Sequence, residues 1–214
     1  MKLLIIEDQA MIRQLLLMAC RQACPEAELF DAATGADGVE QCRQIKPDIV
    51  LLDIMLPDCD GLSLVPKMRA IVSDLKVLVL SAHSDEYTMS RIKASRVNGF
   101  VDKGAQALSV LKEALTAVSQ GQEYFCSVTM AIYDRMKADP FSFDKILSDR
   151  EIELLSLFAR GLSNQEIGER LSLKPNTVRN HRQNIMGKLG LTSTPQLIHY
   201  ALEKGFLWSG HEGR

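Results

Sequence analysis

Three acids stand where short apolar runs end. Glu7 and Asp8 follow Lys2-Leu-Leu-Ile-Ile6, and Asp53 closes Ile49-Val-Leu-Leu before Pro57 and Gly61 break the chain. A short continuous apolar run followed by turn residues reads as a strand buried on both faces. The carboxyl edge of such a sheet is where open α/β folds carry their chemistry. Unit charges about 4 Å apart repel by roughly 4 kcal/mol at an effective dielectric near 20. The three carboxylates therefore either hold protons or recruit a cation. Hard oxygen ligands with few neighbours suit Mg²⁺, which keeps waters and shares its shell with phosphate oxygens. Lys103 follows a further short strand and Ser81 ends another, bringing an ammonium and a hydroxyl to the same edge. With Mg²⁺ and Lys103 present, positive and negative charges balance. A carboxylate nucleophile beside a metal, a lysine and a hydroxyl is a phosphoryl-acceptor site. Asp53 is its reacting group.

Bringing these groups together takes a sheet. Predicted strands run over Lys2–Ile6, Glu28–Ala32, Ile49–Asp53, Lys76–Ser81 and Gly99–Asp102. Each precedes a segment with helical spacing: Gln9–Ala23, Gly35–Ile45, about Gly61–Ile71, Asp85 to about Ser95, and Ala105–Gln120. These five βα units predict a five-stranded parallel, doubly wound sheet of flavodoxin-like type, covered on both faces. The domain spans residues 1–120. Across residues 121–146 the pattern weakens into a linker, with room for one helix over Ser127–Lys137 and a hinge at Ala138-Asp-Pro-Phe-Ser.

Residues 147–214 read as all helix. Ser148-x-x-Glu151 is a capping box opening a helix that Arg160-Gly161 ends, and Ser163-x-x-Glu166 opens a short one through Arg170. Pro175 starts a third helix to about Leu189, and Thr194-Pro195 a last one that Gly205 ends. Two short helices joined by a tight turn, the second basic, form the DNA-binding helix-turn-helix pattern.

Charge divides the same way. Up to Ile146 there are 16 Lys and Arg against 20 Asp and Glu; from Leu147 on there are 9 against 7. An acidic front and a basic back suggest two jobs. Five cysteines form an odd set without disulfide-framework spacing and read as reduced cytosolic thiols. Glu7-Asp8 cuts the first apolar run too short for a signal peptide, and no run approaches a membrane span. The expected location is the cytoplasm.

Residues Met1 to about Gln120 resemble the receiver domain of two-component systems. The acid pair Glu7-Asp8, the segment D-I-M-L-P-D-C-D-G that begins at Asp53, Ser81 and Lys103 all fall at that family's positions. The resemblance implies that Asp53 accepts the phosphoryl group of a sensor histidine kinase. It also implies Mg²⁺ on Asp8, Asp53 and the Met55 backbone carbonyl, with Glu7 supporting through water. Ser81 and Lys103 would hold the phosphoryl oxygens, and Phe100 matches an aromatic switch coupled to Ser81. Gly104 departs from the proline found there in many receivers, which loosens the lysine's loop without changing the charge count.

Leu147 to Leu207 resembles the LuxR-type helix-turn-helix, through L-S-D-R-E-I-E-L-L, G-L-S-N-Q-E-I and N-T-V-R-N-H-R-Q-N-I-M-G-K-L. The whole chain is thereby similar to NarL/FixJ-group response regulators. By that resemblance Arg179, Asn180 and Gln183 face bases, where Arg suits guanine and Asn or Gln adenine. Lys174, Thr177, Arg182 and Lys188 would sit on phosphates. From Arg170 to Tyr200 there are five Lys or Arg and no acid. So few cations give weak binding by one copy, and a homodimer on paired half-sites of promoter DNA is expected. Chemistry on an outside substrate is not expected, only self-phosphotransfer and autodephosphorylation.

Two other classes stand beside this reading. An aspartyl-phosphate hydrolase on the same sheet needs a second acid shortly after the nucleophile; Met55 occupies the position two residues on, and Asp58 and Asp60 lie beyond Pro57. A LuxR-type sensor of a small autoinducer needs an aromatic-lined pocket, whereas aromatic residues are 6% of the chain. Taken singly, Phe100 also suits plain core, His83 an exposed loop, His181 helix packing, and Cys59, Cys20 and Cys24 unreactive thiols.

Overall fold

The computed structural model describes residues 1–104 and 107–208; the predicted helix start at Ala105 and the residues after Trp208 lie outside the described residues. The chain divides into two compact units. Among the described residues, the first comprises Met1–Ser84 and Arg91–Met130, the second Asp85–Ser90 and Ala131 to Trp208.

The first unit is built on a parallel sheet. Strands β1 (Lys2–Ile6), β2 (Glu28–Ala32), β3 (Ile49–Asp53), β4 (Lys76–Ser81), β5 (Gly99–Asp102) and β6 (Tyr124–Phe125) lie in the order β2-β1-β3-β4-β5-β6. The expected five strands are thus joined by a sixth, which pairs with Gly99 and Phe100 from within the predicted linker. Two residues carry no period to read. The strand's approach depends on Gly99, where a Cβ would lie 2.5 Å from the Tyr124 carbonyl oxygen and 2.8 Å from Leu78. Helices α1 (Ala10–Ala23), α2 (Gly35–Ile45), α3 (Leu64–Ile71), α4 (Glu86–Ala94) and α5 (Ala107–Ser119) follow the first five strands in turn. The helix expected from about Gly61 opens instead as a 3₁₀ turn over Gly61–Ser63, held by the Asp60 carboxylate on the Leu62 amide.

Alternation along the strands divides the core. Leu3, Ile5, Leu51, Leu78 and Val101 pack with Leu16, Cys20, Leu111, Leu115 and Val118 of α1 and α5. Their neighbours Leu4, Ile6, Val50, Leu52, Val77, Val79 and Phe100 are equally buried. Each such side chain stabilises by about 1.5–3 kcal/mol relative to exposure. A sheet anchored on both faces cannot slip by one residue without turning its apolar set outward, so the register is firm. It sets Asp53 opposite Leu80 and Ser81 opposite Asp102 at one edge.

The second unit is helical: α6 (Ser127–Ala138, entering from the first unit), α7 (Phe143–Ile146), α8 (Asp149–Ala159), α9 (Asn164–Leu171), α10 (Pro175–Lys188) and α11 (Thr194–Glu203). Both capping boxes form. The turn between α9 and α10 needs a left-handed Ser172 and the smallness of Gly168, where a Cβ would lie 2.6 Å from the Leu173 carbonyl oxygen. Ile167, Val178, Ile185, Leu197 and Phe206, from α9, α10, α11 and the turn after it, are fully buried and form part of the core of this unit. The predicted hinge at Ala138-Asp-Pro-Phe-Ser leads directly into α7, which Ser142 precedes as N-cap and whose Phe143 is fully buried.

Candidate functional site

Apolar runs that continue to the last strand residue carry their terminal acids into the protein. Glu7 is 1% and Asp53 4% exposed, while Asp8 is exposed. One carboxylate oxygen from each lies within 4.8 Å of the other two. The Lys103 ammonium sits between two of them, 2.6 Å from Glu7 and 2.7 Å from Asp53. One ammonium against three carboxylates leaves the cluster two charges negative, which matches a divalent cation. Burial pushes the Asp53 carboxyl above its ordinary range; Lys103 only partly offsets this. Glu7 is raised for the same reason, with Lys103 opposing and Asp53 adding repulsion. Both groups would release their protons more readily to a further cation. The donor set, carboxylate oxygens alone, fits Mg²⁺.

The remaining edge residues arrive through backbone geometry. Ser81 is 1% exposed, and its hydroxyl accepts from the His83 amide at 3.0 Å. The Lys103 amide donates to the Ser81 carbonyl at 2.8 Å, so hydroxyl and ammonium are held by one ladder bond. Met55 reaches Asp53 through its amide, at 3.2 Å. Phe100 is fully buried three residues before Lys103. Gly61 is required where the chain doubles back, because a Cβ there would lie 2.0 Å from the Asp53 carbonyl oxygen.

Two further residues shape the edge without a local sequence signal. Arg13 donates to the backbone carbonyls of Glu7 (2.8 Å) and Asp8 (3.2 Å) while its Nε pairs with Asp31 at 2.8 Å. Asp58 accepts from the Gly35 and Ala36 amides at 2.8 and 2.9 Å, tying the loop after Asp53 to the start of α2. Desolvation opposes those two bonds but does not outweigh them, and Asp58 lies below the usual carboxylate range. Burial and the neighbouring Asp58 and Asp60 push the Cys59 thiol up to about 11, which makes it unreactive. His83 is half-buried rather than exposed.

In the second unit, Arg179, Asn180 and Gln183 are exposed along one side of α10, and Lys174 is exposed just before it. Thr177 is half-buried. Arg182 lies over the Phe158 ring at 5.8 Å, and the Lys188 ammonium is 2.6 Å from Glu151. Burial would raise Glu151, but bonds from Lys188 and Ser148 more than offset that and hold it below the ordinary range. Arg182 and Lys188 thus brace α10 against α8 whatever else they touch. Among the described residues, no helix is long and apolar enough to cross a membrane.

A parallel sheet with an acidic, lysine-bridged carboxyl edge, followed by a helix-turn-helix, defines a phosphoacceptor domain joined to a DNA-binding one. Residues 3–116 match the family described as response regulator receiver domain, and residues 145–201 match bacterial regulatory proteins of the luxR family. The chain belongs to the NarL/FixJ-type response regulators, with a receiver domain and a LuxR-type DNA-binding domain. It is 33% identical to the oxygen regulatory protein NreC of Staphylococcus aureus strain MRSA252, over 97% of this chain and 99% of that one. A solved structure of the response regulator RcsB of Salmonella typhimurium is similar in fold, with TM-score 0.66 and 20% identity over 94% of this chain and 99% of that one. RcsB of Salmonella enterica serovar Typhimurium bound to promoter P1flhDC with the phosphomimetic BeF3- gives TM-score 0.62 and 21% identity, covering 94% and 97%.

Proposed function

We propose that this chain is a phosphorylation-controlled transcription regulator that takes a phosphoryl group onto Asp53 from a sensor histidine kinase and binds promoter DNA as a dimer. Residues 1–120 would be the receiver, 121–146 the linker and 147–214 the DNA-binding domain. The observation that carries the reading is the Lys103 ammonium bridging Glu7 and Asp53 beside the buried Ser81 hydroxyl.

The chemistry follows from those atoms. An Asp53 carboxylate oxygen attacks phosphorus; the P–O bond forms as the donor's P–N bond breaks, and the imidazole leaves with a proton. Lys103 moves onto a phosphoryl oxygen, since that oxygen carries more charge than the carboxylate it displaces. The Ser81 hydroxyl turns from the His83 amide to donate to a second phosphoryl oxygen, and Phe100 packs behind it. Asp8, Asp53 and the Met55 carbonyl would hold Mg²⁺, with Glu7 supporting, and the ion supplies charge neutralisation during transfer. Chemistry is confined to this self-phosphotransfer and to autodephosphorylation, in which water hydrolyses the aspartyl phosphate to the free carboxylate and inorganic phosphate.

On DNA, Arg179, Asn180 and Gln183 read bases while Lys174, Thr177, Arg182 and Lys188 set register on phosphates. The weak charge of one copy favours two on paired half-sites. A cytoplasmic location suits both partners.

The test is labelling of the intact protein by acetyl phosphate. A hydroxylamine-sensitive phosphoryl group should appear with Mg²⁺ and be lost with chelator; no uptake under either condition sinks the reading. Arg179→Ala should cost about 1–3 kcal/mol at one base position and relax specificity there. A uniform loss across all sequences in a selection from random DNA would make Arg179 a phosphate contact.

A further inference from the structure

The loop that carries Met55 is closed on itself and then held from outside. At its base the Gly61 amide donates to the Ile54 carbonyl at 2.8 Å, and Met55 and Asp60 form an antiparallel bridge. Leu56 is buried and anchors the loop to the core beneath it. Asp58 ties the tip to the first amides of α2. Asp60 divides its carboxylate: one oxygen accepts from the Leu62 amide at 3.0 Å, and the other pairs with the Arg91 guanidinium. Its carbonyl accepts from the Ser63 amide at 3.0 Å and the Ser63 hydroxyl at 2.6 Å. Arg91 lies in the second half of α4 and, like the whole loop, in the first unit.

The bond to Arg91 does what the other Asp60 bonds cannot. Those to Leu62 and Ser63 stay within three residues and fix only the local turn. Arg91 is 31 residues away and ties that turn to another helix. The two side chains are 20% and 26% exposed, so water still weakens the pair and its share in overall stability is small. By charge alone, a cation in this neighbourhood opposes the binding of a divalent ion. What Arg91 can add is geometry. Mg²⁺ demands near-ideal octahedral ligands, and a backbone carbonyl is only as well placed as the loop that carries it.

We propose that Arg91 is a positioning residue for the divalent ion: through Asp60 it steadies the Met55–Asp60 bridge and so sets the Met55 carbonyl at the acidic edge. The inference rests on the reading of Asp8, Asp53 and Met55 as the holders of Mg²⁺. It deepens that reading by naming a side chain, on a different helix, that acts through the loop and not on the ion.

The test titrates Mg²⁺ into the unphosphorylated full chain and reads the dissociation constant from backbone amide shifts in the Met55 loop. Arg91→Gln should weaken binding about tenfold, the lower end of what losing a residue behind a metal ligand costs. Charge alone predicts the opposite sign, because an unpaired Asp60 would draw the cation in. Arg91→Lys keeps the charge but offers a point donor in place of a fork; it should recover part of the affinity, and it carries the comparison where Arg91→Gln fails to fold. With acetyl phosphate, Arg91→Gln should need about tenfold more Mg²⁺ for half-maximal uptake and should reach the parent's rate once Mg²⁺ saturates. Mg²⁺ binding in Arg91→Gln as tight as the parent's, or tighter, overturns the inference and leaves Asp53 as phosphoacceptor. So does an uptake rate that stays low at saturating Mg²⁺, since Arg91 would then act on the transfer itself. A parent whose loop amides do not respond to Mg²⁺, or that takes up no phosphoryl group, overturns the phosphoacceptor reading instead.

Discussion

Asp53→Asn is expected to fold as the parent does, take up no phosphoryl group from acetyl phosphate, and bind DNA at the basal level whether or not the donor is present. The amide keeps the shape of the side chain and an oxygen to accept from Met55, but it is no nucleophile. Stability should not suffer. Burial already holds the Asp53 carboxyl above its ordinary pKa, so its charge is a net cost to the folded state despite Lys103. Lys103 retains Glu7 as partner at 2.6 Å. Urea unfolding should therefore match the parent within about 1 kcal/mol, in line with losing a charge that was only partly compensated. The functional loss is large because the phosphoryl group is the only source of the extra negative charge that moves Lys103 and Ser81. Donor-stimulated binding in Asp53→Asn equal to that of the parent would remove Asp53 from the switch.

How much of this edge can be read from residues alone depends on whether the signal is local. Ile49–Asp53 is legible because an unbroken branched run has nowhere to lie but inside a sheet, and an acid at its end must then sit at the rim. Ser81 and Lys103 are legible for the same reason, each ending or following a run of its own. Asp58 is not. Its partners are the amides of Gly35 and Ala36, more than twenty residues upstream, and nothing near Asp58 announces them. Arg13 likewise looks like an ordinary helical cation until its guanidinium is found on the Glu7 and Asp8 carbonyls.

The same division holds in the second half. Capping boxes and Pro175 mark the helix starts because the orphan amides they serve lie within one turn. The pairing of Lys188 with Glu151 spans 37 residues and turns an expected phosphate contact into a brace between helices as well. Strand β6 and the allegiance of Asp85–Ser90 escape for a related reason. Local pattern says that Tyr87 is helical, but which aromatic residues cover it is decided by distant chain.

Lys103→Met is the companion experiment at the acidic edge, and it should damage the fold as well as the chemistry. Methionine keeps the apolar stem and deletes the ammonium, leaving Glu7 and Asp53 with side chains 1% and 5% exposed and no countercharge between them. Removing one partner of a buried pair typically destabilises by about 3–5 kcal/mol. Here two carboxylates share the lost partner, but either can relieve the repulsion by taking a proton, so the lower end, about 3 kcal/mol, is expected at neutral pH without divalent ions. With a denaturant slope of about 2 kcal/mol per M, the urea midpoint of the first unit should fall by about 1.5 M. Millimolar Mg²⁺ should restore part of that loss, because a divalent ion on the same carboxylates replaces the missing charge. Adding Glu7→Gln to Lys103→Met should restore part of it without Mg²⁺, because the unpaired charge it removes is the more deeply buried of the two. Phosphoryl uptake should fall at least tenfold in both variants, since neither has an ammonium to receive the incoming oxygen. A Lys103→Met protein as stable as the parent in chelator would mean that the carboxylates are held apart by some other means, and the charge argument for the metal would go with it.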